Sequence, residues 1–146
     1  DTNIDIHHTN EDIGIVLGKV FKKALGDDKL GIKRFGSAFA PMESTLGHSI
    51  VDISGRGYLQ FSVEGGRSAD AEQDDGYSVN DLEHFLESFA HNLGATINVK
   101  ISKPKDADLH TMMETVFKSL GMALDQATQI DPRREGAVPS TKGIID

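Results

Sequence analysis

The chain has 146 residues, enough for one compact domain with a hydrophobic core, and its 38% hydrophobic and 26% charged residues are typical of soluble globular proteins. The formal net charge of −8, with acidic residues scattered along the chain, argues against nucleic acid or an anionic membrane as the main partner, although a few basic residues can still bind a small anion. The absence of cysteine excludes disulfides and zinc–thiolate sites, and no apolar run approaches the roughly 20 residues of a membrane span.

The first half of the chain predicts one helix and two strands. Residues 3–6 alternate polar and apolar side chains like the end of a strand, and Thr9 is the expected N-cap of the helix that follows. The apolar side chains of this helix recur on one face: Ile13, Val16, Leu17, Val20, Phe21 and Ala24. After residues 26–28 end the helix, two apolar runs at 48–53 and 58–63 flank a glycine-rich turn and predict a β-hairpin.

The middle of the chain predicts a loop, a second helix and a strand. Residues 65–76 are polar and glycine-rich, which indicates a loop. Ser78 and Asp81 have the spacing of a capping box, so they open a helix that Gly94 can end. The apolar alternation at 97–101 then predicts a strand.

A third helix, predicted at 109–124, resembles the first one. A shift of 103 residues superposes four pairs: His7 on His110, Glu11 on Glu114, Leu17 on Leu120 and Gly18 on Gly121. Duplication of a strand-then-helix unit is the simplest explanation, and chance similarity of two amphipathic helices is the alternative. The tail at 132–146 is too rich in proline, glycine and charge to form a helix.

The repeated His-x-x-x-Glu pattern predicts metal ligands. On a helix, positions i and i+4 lie on one face about 5–6 Å apart, so His7 and Glu11 can reach one metal ion, and His110 and Glu114 repeat this geometry. His8 points roughly 100° away around the helix axis, toward a different ion. Imidazole with carboxylate suits manganese, iron, zinc or nickel better than magnesium or calcium. The alternative is a pair of solvated histidines at a helix start.

Three segments carry residues of the kind that bind phosphate. Arg56 lies in the glycine-rich turn, Ser140-Thr141-Lys142 precede Gly143 near the end of the chain, and Arg34 is a further candidate. A hydroxyl, a lysine and backbone N–H groups beside glycine are the usual components of a phosphate site. Such segments are also common in ordinary loops.

Taken in order, these segments resemble the imidazoleglycerol-phosphate dehydratase family. The resemblance rests on residues 7–12, 31–36 with 41–42, 51–56, 84–90, 110–114 with 117–118, 131–134 and 139–143. It implies an α+β fold of duplicated strand–helix units with sheets packed against helices, the class of the second domain of ribosomal protein S5. It also implies a large symmetric homo-oligomer with active sites between subunits. Residues 1–6 lack the basic start and apolar stretch of a signal peptide, so we expect a cytoplasmic location, or a plastid one if a transit peptide has been removed. From the charge and the lack of a membrane span we expect no nucleic-acid or membrane partner.

The resemblance further implies a reaction and a set of site residues. The family removes water from imidazoleglycerol phosphate to give imidazole acetol phosphate in histidine biosynthesis, and it binds two manganese ions. By the family's pattern, one ion is bound by His8, His110 and Glu114, and the other by His7 and Glu11. The positions that hold the substrate and its phosphate are Arg34, Arg56, Ser140, Thr141 and Lys142.

The chain also departs from the family's pattern. Thr111 and Asn98 stand where the family has metal-binding histidines, Ser44 replaces the glutamate of an Asp-Glu pair, and Gly57 replaces a proline. The family's N-terminal segment, with a further histidine ligand and the proton-transferring glutamate, lies outside the match, so no catalytic residue is assigned. We therefore expect one metal site to be weakened and the isolated chain to turn over poorly. The alternative function is a catalytically impaired fragment or paralogue that binds metal and phosphate without turnover.

Overall fold

The computed structural model describes residues 5–26, 29–65, 73–74 and 76–145. They form three α-helices and six β-strands, with one short 3₁₀ turn at Pro132–Arg134. In chain order the elements are α1 (Ile6–Leu25), β1 (Phe35–Met42), β2 (Thr45–Asp52), β3 (Tyr58–Glu64), β4 (Gln73–Asp74), β5 (Tyr77–Ser78), α2 (Val79–Leu93), β6 (Thr96–Ser102) and α3 (Leu109–Thr128).

The main sheet has the strand order β1-β2-β6-β3, in which only β3 and β6 run parallel. The predicted hairpin between 48–53 and 58–63 is therefore wrong, because β6 lies between those two strands. The glycine-rich segment reverses the chain, but it passes the start of β6 instead of joining two paired strands. Its Gly55 N–H donates to the Gly94 carbonyl at 2.8 Å, and the Tyr58 N–H donates to the Ala95 carbonyl at 3.1 Å.

The hairpin of this sheet is formed by β1 and β2, with Glu43 in the turn at a φ of 51°. The sequence did not predict β1, whose glycine, alanine and proline residues have low strand propensity. The small residues are explained by the close approach of α3. A Cβ atom on Gly36 or Gly47 would collide with a backbone carbonyl of that helix.

One face of the sheet carries the hydrophobic core and the other is open. Helices α2 and α3 pack on the covered face, where Val51, Ile97 and Leu86 are fully buried. Large apolar side chains are exposed on the opposite face: Phe35, Phe39, Leu46, Ile50 and Tyr58.

Helix α1 packs on α2 through small residues, and its apolar stripe faces outward. Gly14 and Gly18 are buried, and a Cβ on either would lie 2.7 Å from a carbonyl oxygen of α2. By contrast, Val16 is 58% exposed and Val20 is 55% exposed. The periodicity at 13–24 therefore predicted the helix correctly, but most of the stripe does not face the described core. Phe21 is an exception, because its ring packs edge-on against Phe89 with centroids 5.6 Å apart.

The ends of the helices differ from the prediction at the start of α1 and at the end of α3, which continues to Thr128 instead of 124. The N-cap of α1 is Asp5, whose carboxylate accepts hydrogen bonds from the His7 and His8 N–H groups at 2.5 and 3.2 Å, so Thr9 lies inside the helix. Residues 3–4 lie outside the described residues, which leaves the predicted strand end there untested. The capping box at Ser78 and the left-handed Gly94 at the end of α2 are confirmed.

The predicted duplication agrees with the helix bounds. Helices α1 and α3 each have 20 residues, and their N-caps, Asp5 and Asp108, are separated by the same 103 positions as the two His-x-x-x-Glu patterns. Most of the predicted loop at 65–76 lies outside the described residues, but Gln73–Asp74 pairs with Tyr77–Ser78. No helix in the described part of the chain is long and apolar enough to cross a membrane.

Candidate metal and phosphate sites

The start of α1 holds the first group of predicted metal ligands. The His8 Nδ1 atom lies 3.1 Å from the Asp5 carboxylate, whereas the His7 ring packs edge-on against the ring of His84, with centroids 4.8 Å apart. Glu11 is exposed on the same helix. His84, on α2, was not predicted as a site residue, because its contact with His7 joins two elements that are distant in sequence.

Buried polar contacts fix the start of α1 to α2 beside these histidines. The Asn10 side-chain amide donates to the Asp81 carbonyl at 2.6 Å, and the Tyr77 hydroxyl donates to the Asn10 amide oxygen at 2.8 Å. Burial, and then the nearby Asp81 carboxylate, raise the pKa of Tyr77 to about 12. The hydroxyl therefore remains a hydrogen-bond donor throughout the physiological range, and it anchors the helix that carries His7 and His8.

The start of α3 holds the second group. The His110 Nε2 atom lies 3.2 Å from one oxygen of Glu114, and the Lys118 ammonium pairs with the other oxygen. The hydrogen bond and charge of Lys118, followed by the charge of His110, hold the pKa of Glu114 below its ordinary value. The carboxylate is thus ionised and next to an imidazole, as a transition-metal ligand pair requires.

The two groups of candidate ligands do not form one metal site in the described part of the chain. Among the described residues, no three histidine, aspartate or glutamate side chains are placed to hold one metal ion. The donors fit a manganese-type ion by their chemistry, since each helix supplies imidazole and carboxylate, but each supplies only part of a coordination shell. Thr111 and Asn98 stand where the resemblance implies histidine ligands. Thr111 is buried, and its backbone N–H donates to the side chain of the N-cap Asp108, whereas Asn98 lies on the open face of the sheet.

Arg34 is held by a carboxylate that the sequence analysis did not assign to the site. Its Nε and Nη2 atoms donate to the two oxygens of Asp52 at 2.6 and 3.0 Å, and its Nη1 atom donates to the Pro139 carbonyl at 3.1 Å. These bonds use three of the five N–H donors of a guanidinium. Arg34 therefore joins the end of β2 to the C-terminal segment, and it does so at a positive φ of 76°.

A pocket of about 380 Å³ opens beside this arginine. It is lined by Arg34, Phe35, Arg134, Val138, Pro139, Ser140 and Thr141. Three of the five residues predicted to bind phosphate thus lie together. Lys142 follows directly, with its N–H donating to the Ser140 hydroxyl at 3.2 Å.

Arg56 is exposed on the adjacent loop and is not among the residues that line this pocket. The start of its loop nevertheless lies next to Arg34, because the Ile53 N–H donates to the Arg34 carbonyl at 3.0 Å. Arg56 is itself held through its backbone N–H, which donates to the Ser54 hydroxyl at 3.3 Å. The structure therefore links the start of the Arg56 loop to Arg34 but does not bring the Arg56 side chain into the pocket lining.

Comparisons with known proteins show the family of this chain. The sequence model described as imidazoleglycerol-phosphate dehydratase matches residues 1–124. Imidazoleglycerol-phosphate dehydratases from Bacillus pumilus and Geobacter metallireducens are 49% and 48% identical to the chain, with 99% of the chain aligned to 71% and 70% of those proteins. The chain belongs to the imidazoleglycerol-phosphate dehydratase family.

Solved structures of the family confirm the fold. The dehydratase from Pyrococcus furiosus matches with a TM-score of 0.74 and 35% identity, over 94% of this chain and 70% of that one. The enzyme from Staphylococcus aureus matches with the same TM-score and 31% identity, over 87% and 70% of the two chains. The predicted α+β class, with a sheet packed against helices, is confirmed.

The sequence analysis gave no role to Asp52, which pairs with Arg34, or to Arg134, which lines the pocket. Asp52 lies between the fully buried Val51 and Ile53, a position where a carboxylate usually has a partner, and this signal could have indicated one. Arg134 belongs to an Asp-Pro-Arg-Arg segment that contributed to the resemblance but was given no role. Its proximity to Ser140 depends on the turn at Pro132–Arg134, which the sequence did not predict.

Proposed function

We propose that the chain acts as an imidazoleglycerol-phosphate dehydratase of histidine biosynthesis, which removes water from imidazoleglycerol phosphate to give imidazole acetol phosphate. The observation that carries this proposal is the collinear match of 43–49% identity over nearly the whole chain to proteins of that name. The pocket beside Arg34 supplies the anion-binding chemistry that the substrate needs.

The phosphate is bound at this pocket. Ser140 and Thr141 supply hydroxyls, and Arg34 supplies N–H donors that Asp52 and Pro139 do not use. Arg56 and Lys142 approach from the two neighbouring loops and add positive charge. Charge-assisted hydrogen bonds from such groups to phosphate oxygens are short and strong, so they fix the orientation of the substrate.

His8, His110 and Glu114 would hold one manganese ion, and His7 and Glu11 would hold another, beside the imidazole end of the substrate. Bound manganese supplies Lewis-acid stabilisation of the charge that develops on the imidazole as the hydroxyl leaves. Because α1 and α3 each present only part of a coordination shell, the complete sites require ligands from a neighbouring copy of the chain.

The exposed apolar surfaces support such an assembly. The outward stripe of α1 and the open face of the sheet leave large apolar side chains in contact with solvent. Contiguous apolar surface of this kind is typical of subunit interfaces. We therefore include a symmetric homo-oligomer, with its active sites between subunits, in the proposal.

A second candidate function is binding of metal and phosphate without turnover. It is favoured by Asn98 and Thr111, since an amide or hydroxyl oxygen is a weaker ligand than imidazole for a transition metal. The affected site is the one that retains His7 and Glu11. A protein with one intact and one weakened site would still bind the substrate.

The two functions are distinguished by an assay on the purified protein. The metal is stripped with a chelator, manganese is restored, and formation of imidazole acetol phosphate is followed by mass spectrometry. Product formation that is lost in Glu114→Gln supports the dehydratase. Retention of manganese and phosphate without product supports the second function, and failure to bind either refutes both.

A further inference from the structure

The phosphate pocket contains a second arginine that makes no hydrogen bond to a carboxylate in the described part of the chain. Arg34 forms a bidentate pair with Asp52. Arg134 also lines the pocket, from the turn that follows Asp131. Its Nε atom is 3.9 Å from the Asp131 carboxylate, which is beyond hydrogen-bonding distance.

The Asp131 carboxylate accepts its hydrogen bonds from Arg133, so Arg134 shares the charge of this carboxylate only at a longer distance. Its two oxygens accept hydrogen bonds from the Nε and Nη2 atoms of Arg133 at 2.8 and 2.7 Å, and one of them also accepts the Arg133 N–H at 3.1 Å. Arg133 is therefore hydrogen-bonded to both oxygens of Asp131, whereas Arg134 lines the pocket.

The Nε–H group of Arg134 is buried and has no acceptor. It is shielded from solvent and makes no hydrogen bond within the described part of the chain, while the side chain as a whole remains 33% exposed. A buried donor without an acceptor costs free energy that a bound acceptor would recover. A guanidinium of this kind, on the wall of a pocket that also offers hydroxyls, is suited to an anion with several oxygens.

The backbone around Arg134 is fixed, so the side chain is presented from a defined position. The Arg134 N–H donates to the Asp131 carbonyl at 3.0 Å, and the Arg134 carbonyl accepts from the Ala137 N–H at 2.8 Å. The turn is further tied to the segment before β1, where the Asp131 N–H donates to the Gly31 carbonyl at 2.8 Å. These contacts do not involve the Arg134 side chain, so its replacement leaves them intact.

We propose that Arg134 is a further phosphate-binding residue, which contacts the phosphate monoester of the substrate together with Arg34 and Ser140. This inference rests on the proposed function, because it assigns the pocket to that phosphate. A phosphate dianion in this pocket would meet Arg34, which is hydrogen-bonded to both oxygens of Asp52, and Arg134, which has no hydrogen bond to a carboxylate and only shares Asp131 with Arg133. Arg134 is therefore the arginine of the pocket wall with more donors left for the phosphate.

The test is calorimetric titration of the purified chain with inorganic phosphate, on the unmodified protein and on Arg134→Ala, Arg134→Lys and Arg34→Gln. Lys33→Ala is the matched control, since it removes one positive charge next to Arg34 from a side chain that is bonded to Gln129 and does not line the pocket. Loss of a charge-assisted contact should weaken phosphate binding by about tenfold or more in Arg134→Ala. The phosphate affinity of Arg134→Lys should lie between those of the unmodified protein and Arg134→Ala, because lysine keeps the positive charge but lacks the planar guanidinium that can donate two parallel hydrogen bonds.

The outcomes separate this inference from the proposed function. Binding that is unchanged in Arg134→Ala but lost in Arg34→Gln overturns the role of Arg134 and leaves the dehydratase proposal standing. Equal weakening in Arg134→Ala and Lys33→Ala would mean that overall charge is responsible, which also overturns it. If the unmodified chain binds no phosphate, both proposals fail. Thermal unfolding without phosphate verifies that each variant is folded, and Arg134→Lys decides the question if the alanine variant is not.

Discussion

Replacement of Asp52 should reduce stability by an amount that the geometry of its pair with Arg34 allows to be estimated. The side chains of Arg34 and Asp52 are only 17% and 25% exposed, and the pair has two hydrogen bonds of 2.6 and 3.0 Å. Hydrogen bonds to charged groups contribute about 1.5–3 kcal/mol. Arg34 keeps its bond to the Pro139 carbonyl and some contact with water, so we expect a loss of about 2 kcal/mol for Asp52→Ala. Asp52→Asn should lose about half as much, since its amide oxygen can still accept one bond.

Urea unfolding followed by circular dichroism measures this loss, and a thermal scan should show the midpoint lowered by roughly 6 °C for Asp52→Ala. Asp12→Ala removes the same charge from an exposed position on α1 and should change stability by less than about 0.5 kcal/mol. A double-mutant cycle with Arg34→Met isolates the pair. A coupling energy near zero, or equal losses in Asp52→Ala and Asp12→Ala, would refute the conclusion that this pair holds the end of β2 to the C-terminal segment.

Three further predictions concern packing, pH and metal. Gly36→Ala should destabilise the protein by about 1–3 kcal/mol in urea unfolding, because the added Cβ collides with α3. Gly121→Ala, at a position with open space in the middle of a helix, should be neutral or slightly stabilising. Equal effects of the two substitutions would contradict the close packing of β1 on α3. The Arg133 guanidinium lowers the pKa of Asp131 from 3.8 to about 2, so the stability that this carboxylate contributes is present above pH 4 and lost as the pH falls toward 2. Between pH 4 and pH 2 the unfolding midpoint of Asp131→Asn should therefore vary less than that of the unmodified protein. Parallel curves of midpoint against pH would exclude this contribution. The third prediction is that His110→Ala lowers the manganese retained after dialysis, measured by atomic absorption, more than His7→Ala does. The reason is that the site of His110 keeps three imidazole or carboxylate ligands. The reverse order would show that the two sites are assigned the wrong way round.

The helices were predictable where their signals are local. Ser78, Asp81 and Gly94 define α2 within a span of 17 residues, and each acts as its residue type suggests. The pairing of β2 with β6 is a different case, because nothing near residues 54–57 indicates that a strand from 40 residues later will enter between the flanking strands. A turn composition shows only that the chain bends there, and it leaves the partner of each strand undetermined.

The site was predictable as residue types but not as contacts. The structure brings Arg34, Ser140 and Thr141 to one pocket, and each belongs to a segment that carries the resemblance, while their role in phosphate binding stays a prediction. The roles of Asp52 and Arg134 depend on contacts made across the fold, such as the bond from Arg34 to the Pro139 carbonyl 105 positions away. Periodicity likewise showed that α1 is a helix, but it could not show that glycines would form its contact with α2.

The central position of β6 has a consequence for how the chain folds. Strand β6 supplies the partner edge for both β2 and β3, yet it is made after both of them during synthesis. Until residues 96–102 are available, the β1–β2 hairpin is the only pair of the main sheet that can form by local pairing, and β3 has no neighbouring strand in that sheet. Pairings over such separations slow folding, and unpaired strand edges promote association between incomplete chains. Rapid folding of α2, whose capping box makes it locally favourable, would shorten this interval because it delivers β6 directly to the gap.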